Sequence, residues 1–252
     1  DAELKRLFTG LVAQIAQGWR ARLGNVGLPN LTLSFSTTPF TTGQGLDAYA
    51  TASQEGTGCL ITFYPSLYDN LGAVGASYAK FVIAHELFHC VQFEWAPTVY
   101  ASSPQWVIEG GADFAGLDYF RKQVQPDDFF LAWFAAREAP LGARSYSGAG
   151  LWEAAAAEGL DPYAAIKAAL RATGSTEAVL AQAGLNSPRF LLAWPTRTVR
   201  TQAYQHPSWT MPWAGVGEGK HENFDKGRPI NLGGTNITGP SNFSHALRAH
   251  VF

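Results

Sequence analysis

A chain of 252 residues with 46% apolar, 13% aromatic and only 15% charged residues can bury a sizeable core, with or without a small appendage, and is too apolar for a disordered segment. Its formal charge of −2 is spread without blocks, so it lacks the basic stripe that neutralises phosphates, and no nucleic-acid partner is expected. No apolar run is long enough to cross a bilayer, and the chain opens on Asp1 without a basic-then-apolar leader, which leaves the compartment open.

From Glu3 to Arg22 the residues Leu4, Leu7, Phe8, Leu11, Val12, Ile15 and Trp19 recur at spacings of three and four, with Lys5, Arg20 and Arg22 off the stripe. That period predicts an amphipathic helix, and Gly24 offers a stop. Strand character follows. Leu31 to Phe35 alternates apolar and polar, Ala48 to Ala52 reads as a second short strand, and Cys59 to Tyr64 is β-branched and aromatic between Gly58 and Pro65. Helical patterning returns from Ser77 to Trp95, closed by Pro97, and again from Gln105 to about Lys122. Further helices are expected at Asp127 to Arg137, Gly148 to Glu158, Pro162 to Arg171 and Thr176 to Ala183, where alanine runs favour helix. Asp161 before Pro162 reads as an N-cap with proline in the first turn.

After Tyr204 the composition shifts to Gly, Pro, Asn, Thr and Trp. The expected organisation is a main domain over 1–203 and a β-rich accessory segment over 204–252, or the beginning of a further domain there. The fold class is α+β: a small mixed sheet, then a mainly helical subdomain, then the β-rich segment. Trp209 and Trp213 in that segment read as core packing. Two cysteines, Cys59 and Cys90, are compatible with one disulfide or with two buried thiols; a disulfide would imply an oxidising compartment.

The most informative run is His85-Glu86-Leu87-Phe88-His89. On a helix, residues four apart share a face, so both imidazoles can reach one zinc ion, while Glu86 projects beside the metal and can take a proton from its water. Phe81, Val82, Ile83, Ala84, Leu87 and Phe88 make the helix apolar nearly all round. Burying His, Glu and His there is costly unless they have partners, and a metal provides one. A random chain of this length would show the H-E-x-x-H pattern on the order of one time in a hundred.

A catalytic zinc takes three protein ligands and keeps one position open. The subclass that supplies a third His six residues after the motif is excluded, because Trp95 stands there and Gln92 stands at its glycine position. A carboxylate from the next helix fits. Trp106-Val107-Ile108-Glu109-Gly110-Gly111-Ala112-Asp113 offers Glu109 as the ligand, with Asp113 one turn on to accept a hydrogen bond from a ligand histidine, His85 first. Glu94 is the rival ligand, five residues after His89 and off the imidazole face. The small residues Gly110, Gly111, Ala112, Ala115 and Gly116 suggest a helix that packs closely against the metal helix.

Together these two runs resemble the gluzincin metallopeptidases, whose signature is H-E-x-x-H followed by a Glu on a later helix, often in a W-x-x-E-G-x-A setting. The likeness covers about Cys59 to Gly116. It implies a zincin-like catalytic domain that hydrolyses peptide bonds, with zinc on His85, His89 and Glu109, Glu86 as general base, and a peptide or protein as substrate. It also implies that the strand before the metal helix, Cys59 to Tyr64, is the sheet edge that holds extended substrate. Tyr146, in Ser145-Tyr146-Ser147-Gly148, is similar to the oxyanion-binding tyrosine of the aminopeptidase-like members, with glycine one residue closer; Tyr100 and His206 are weaker candidates for that role. Enzymes of this look are often exported, so a secreted or cell-envelope location is expected. The alternatives are a zinc-containing scaffold without turnover and a zinc hydrolase acting on a non-peptide bond.

Overall fold

The computed structural model describes residues 2–24, 30–40, 48–52, 58–68, 76–119 and 140–191, and the dipeptides 230–231 and 236–237. Two compact units are defined, Asp1–Ala101 with Ala115–Val124, and Ser102–Phe114 with Gln125–Phe252. At the coarse level the fold is α+β, mostly helical with a small mixed sheet.

The first unit begins with α1 (Ala2–Leu23), which buries Phe8, Val12, Ile15, Ala16 and Trp19. The expected stripe is narrower than its apolar residues: Leu7 lies outside it and is half exposed. At about 100° per residue, Leu7 sits furthest from the line through Phe8, Val12, Ile15 and Trp19. Gly24, at φ +75°, ends the helix in the left-handed conformation that glycine adopts without a steric cost.

Strands β1 (Asn30–Phe35), β2 (Ala48–Ala52) and β3 (Gly58–Phe63) form a sheet in the order β1-β3-β2. β1 runs parallel to β3, with Leu33 opposite Ile61, and β2 runs antiparallel to it, with Ala50 opposite Ile61. β3 is therefore the central strand of this sheet. The expectation that it forms a substrate-holding edge is overturned, because both rows of its backbone hydrogen-bonding groups already serve neighbouring strands. Phe8 of α1 packs on the sheet through Phe63, ring centroids 5.1 Å apart, and Phe35, 6.3 Å.

α2 (Ala76–Trp95) packs against α1 and β2, with Trp19 and Phe88 rings 5.5 Å apart. A disulfide joins Cys59 of β3 to Cys90 of α2, which resolves the two readings of the cysteine pair. The last turn of α3 (Gln105–Tyr119) also belongs to this unit. A Cβ on its Gly116 would lie 2.8 Å from the Phe81 ring of α2, and one on Gly18 of α1 would collide with the Tyr119 ring. Asp118 is paired with Arg22 of α1.

In the second unit the first part of α3 meets the segment 140–148 and α4 (Ala149–Ala157). Trp106 stacks on Trp152 at 5.5 Å with an interplanar angle of 21°. α5 (Pro162–Arg171) starts as expected, with the Asp161 carboxylate accepting from the backbone N–H of Tyr163 at 3.0 Å and of Ala164 at 3.1 Å. α6 (Thr176–Gln182) is capped by Ser175 in the same way. Ser103 donates to the Leu170 carbonyl at 2.9 Å, and Phe114 packs on Tyr163.

Near the C-terminus β4 (Ile230–Asn231) pairs antiparallel with β5 (Asn236–Ile237). The rest of the expected β-rich segment, including His206, Trp209 and Trp213, lies outside the described residues, as do the boundary at 203/204, the expected helix Asp127 to Arg137 and the end of the one drawn to Lys122. No helix among the described residues is long and apolar enough to cross a membrane.

Candidate metal centre

α2 is buried on nearly every side: Phe81, Ile83, Ala84, Leu87, Phe88, Cys90 and Val91 are all in the core. His85, Glu86 and His89 are buried with them, at 7%, 6% and 5% exposure. Three ionisable side chains in such surroundings need strong partners. The one-turn spacing brings the two imidazoles together, with Nε2 of His85 3.0 Å from Nε2 of His89 and the rings at 87° to each other.

The outer side of His89 has two polar neighbours. Its Nδ1 lies 2.8 Å from Oε1 of Gln92. A carboxamide oxygen accepts, so this contact is a hydrogen bond in the tautomer that carries the proton on Nδ1. In that tautomer Nε2 keeps a lone pair directed at the neighbouring imidazole. The Tyr100 hydroxyl lies 3.1 Å from the same Nδ1.

Glu109 completes the set. His85, His89 and half-buried Glu109 form a group whose ligand atoms all lie within 4.8 Å of one another, and this group could hold a metal ion. A tetrahedral ion with Zn–N bonds of about 2.05 Å places two nitrogens about 3.3 Å apart, close to the observed imidazole pair. Two imidazoles and one carboxylate also match a known catalytic zinc donor set. On donor chemistry and spacing the residues fit the ion. Glu94, the rival ligand, is exposed and is not part of the group.

The segment after Pro140 brings Tyr146 alongside α3. Tyr146 opens a short 3-10 turn, Tyr146–Gly148, and is 45% exposed. A Cβ on Gly110 would lie 2.8 Å from the Gly148 backbone, so the residue after Glu109 must be glycine for this turn to seat. The sequence suggested that Gly110 serves helix–helix packing; the contact it makes is with this turn, while Gly116 provides the close approach to α2. Arg144, two residues before Tyr146, is buried, and loss of solvent lowers its guanidinium to about 10, still a cation at neutral pH.

Of the residues singled out in the sequence, His85, His89 and Glu109 are brought together, Glu86 is buried on the same helix, and Asp113 is buried one turn beyond Glu109. Tyr100 is found with its hydroxyl 3.1 Å from Nδ1 of His89. Gln92, beside His89, was not singled out in the sequence. Gln92 had a signal, since it lies three residues after His89 and so on the same helical face. No protein-family model matches the chain, and no curated protein or solved structure matches it either.

Proposed function

We propose that this protein is a zinc-dependent peptidase of gluzincin type, with a zincin-like catalytic domain built around His85, His89 and Glu109. The observation that carries the reading is the buried pair of facing imidazoles with the Glu109 carboxylate beside them, next to a buried Glu86 on the same helix. When bound, zinc supplies Lewis acidity and makes water a stronger acid near neutral pH.

The chain's own groups do the rest. Glu86 accepts a proton from water at the site and returns it to the departing amine. The Tyr146 hydroxyl donates to the oxygen of the attacked carbonyl. The seating of its turn against Gly110 supports this role, since Gly110 is the immediate neighbour of Glu109. Asp113, buried one turn beyond Glu109, is the group that would accept a hydrogen bond from a ligand histidine once the metal is held. Because β3 is central, an extended peptide would pair with β1 or β2 and not with β3. The Cys59–Cys90 disulfide favours an oxidising compartment, consistent with an exported enzyme acting on peptide or protein substrates.

Glu86→Gln removes the base and leaves all three ligands. The variant should bind zinc like the parent and lose at least about a hundredfold in peptide cleavage. Cleavage at the parent rate would remove Glu86 from the mechanism. Ester turnover without peptide turnover in the parent would reassign the scissile bond.

A further inference from the structure

We propose that Gln92, assisted by Tyr100, is a positioning residue that sets the tautomer of His89 and holds its Nε2 ready for the metal; this rests on the metal-centre reading given above.

Gln92 is completely buried on α2. A buried carboxamide costs free energy unless its polar atoms are used, and its Oε1 lies 2.8 Å from Nδ1 of His89, where it can accept a proton held on that nitrogen. Neutral imidazole has one proton for two nitrogens. Holding that proton on Nδ1 leaves Nε2 as the donor atom, and Nε2 is the atom that faces His85. Two Nε2–H groups turned toward each other would repel and would exclude a cation. The Gln92 bond rules this arrangement out before any metal arrives.

The end of α2 is built to bring a second oxygen to the same proton. Ala96 N–H still bonds back to the Gln92 carbonyl at 3.0 Å. Beyond it the chain turns at Pro97, and Tyr100 N–H donates to the Ala96 carbonyl at 2.9 Å. This turn folds Tyr100 back along the helix. Its ring meets Phe93 edge-on at 4.2 Å, and its hydroxyl reaches His89. α2 and the turn just beyond its end thus supply, from residues 3 and 11 positions after His89, the two oxygens that orient it. Outer hydrogen bonds of this kind are worth about 10–100-fold in metal affinity.

Two readouts on the full-length chain test this. The first is metal-free: ring-nitrogen shifts of His89 from a proton–nitrogen correlation spectrum, taken at a pH where the imidazole is neutral. The parent should show the proton on Nδ1, and Gln92→Met should move it largely to Nε2. Gln92→Glu, which keeps an acceptor oxygen, should retain the parent tautomer. The second is zinc affinity by competition with a chromophoric chelator. Gln92→Met should fall about 10–100-fold, Tyr100→Phe several-fold, and Gln92→Glu should stay near the parent.

A parent spectrum with the proton on Nε2 overturns the proposal even if no variant folds. So does Gln92→Met with the parent's tautomer and the parent's zinc affinity. If His85→Ala and His89→Ala bind zinc as tightly as the parent, the metal-centre reading fails, and the metal-free spectrum still decides the part played by Gln92.

Discussion

A single methyl group on Gly110 would meet the Gly148 backbone at 2.8 Å, where no flexible side chain can give way. Gly110→Ala is therefore expected to destabilise the protein by about 1–3 kcal/mol, read as a lower denaturation midpoint at unchanged slope. The displaced turn carries Tyr146, so peptide cleavage should fall more than zinc affinity does. An Ala variant with parent stability would show that the turn does not pack on α3 in this way. At this scale the candidate metal group was legible because residue type and spacing together define a metal-binding pattern: His85 and His89 by their four-residue spacing around Glu86, and Glu109 by its apolar flank and following glycines. Gln92 was not legible in the same way. Its place three residues after His89 sets it on the same helical face, but a buried glutamine in an apolar helix has no distinctive type, and it is the distance to Nδ1 of His89 that points to a part for it.

At the scale of elements, the helices and strands were mostly legible from period and caps. Asp161 with Pro162 marked the start of α5, and Gly24 the end of α1. Strand order was not legible, because pairing is decided by contacts far apart in sequence. In β3, Cys59, Ile61 and Phe63 are buried and Leu60 and Thr62 partly exposed, an alternation that marks the face turned to the core and not the strands on either side. The disulfide ties this central strand to the helix that presents the imidazoles, closing a loop with a sequence separation of 31. The chain-entropy model gives such a cross-link about 3–4 kcal/mol of stability. Replacing Cys59 and Cys90 together by Ala should cost an amount of that order in chemical denaturation, and an unchanged midpoint would show that the cross-link constrains nothing. Zinc should still bind to the folded fraction of that variant, because none of the three ligands is touched.

For the whole molecule, an ion that binds only the folded chain stabilises it by mass action. With free zinc at about a hundred times its dissociation constant the gain is about 2.7 kcal/mol, or roughly 5–10 °C in melting temperature for a chain of this size. Removing metal with a chelator should lower the melting temperature by that order, and the His89→Ala variant should not respond. The most direct measurement is zinc stoichiometry by elemental analysis of the purified chain after exhaustive dialysis, with the parent compared against His89→Ala and Glu109→Ala. About one zinc per parent chain is expected, near zero in the histidine variant, and a clear loss in the glutamate variant. Equal zinc in all three, or none in a folded parent supplied with the metal, would contradict the metal-centre reading.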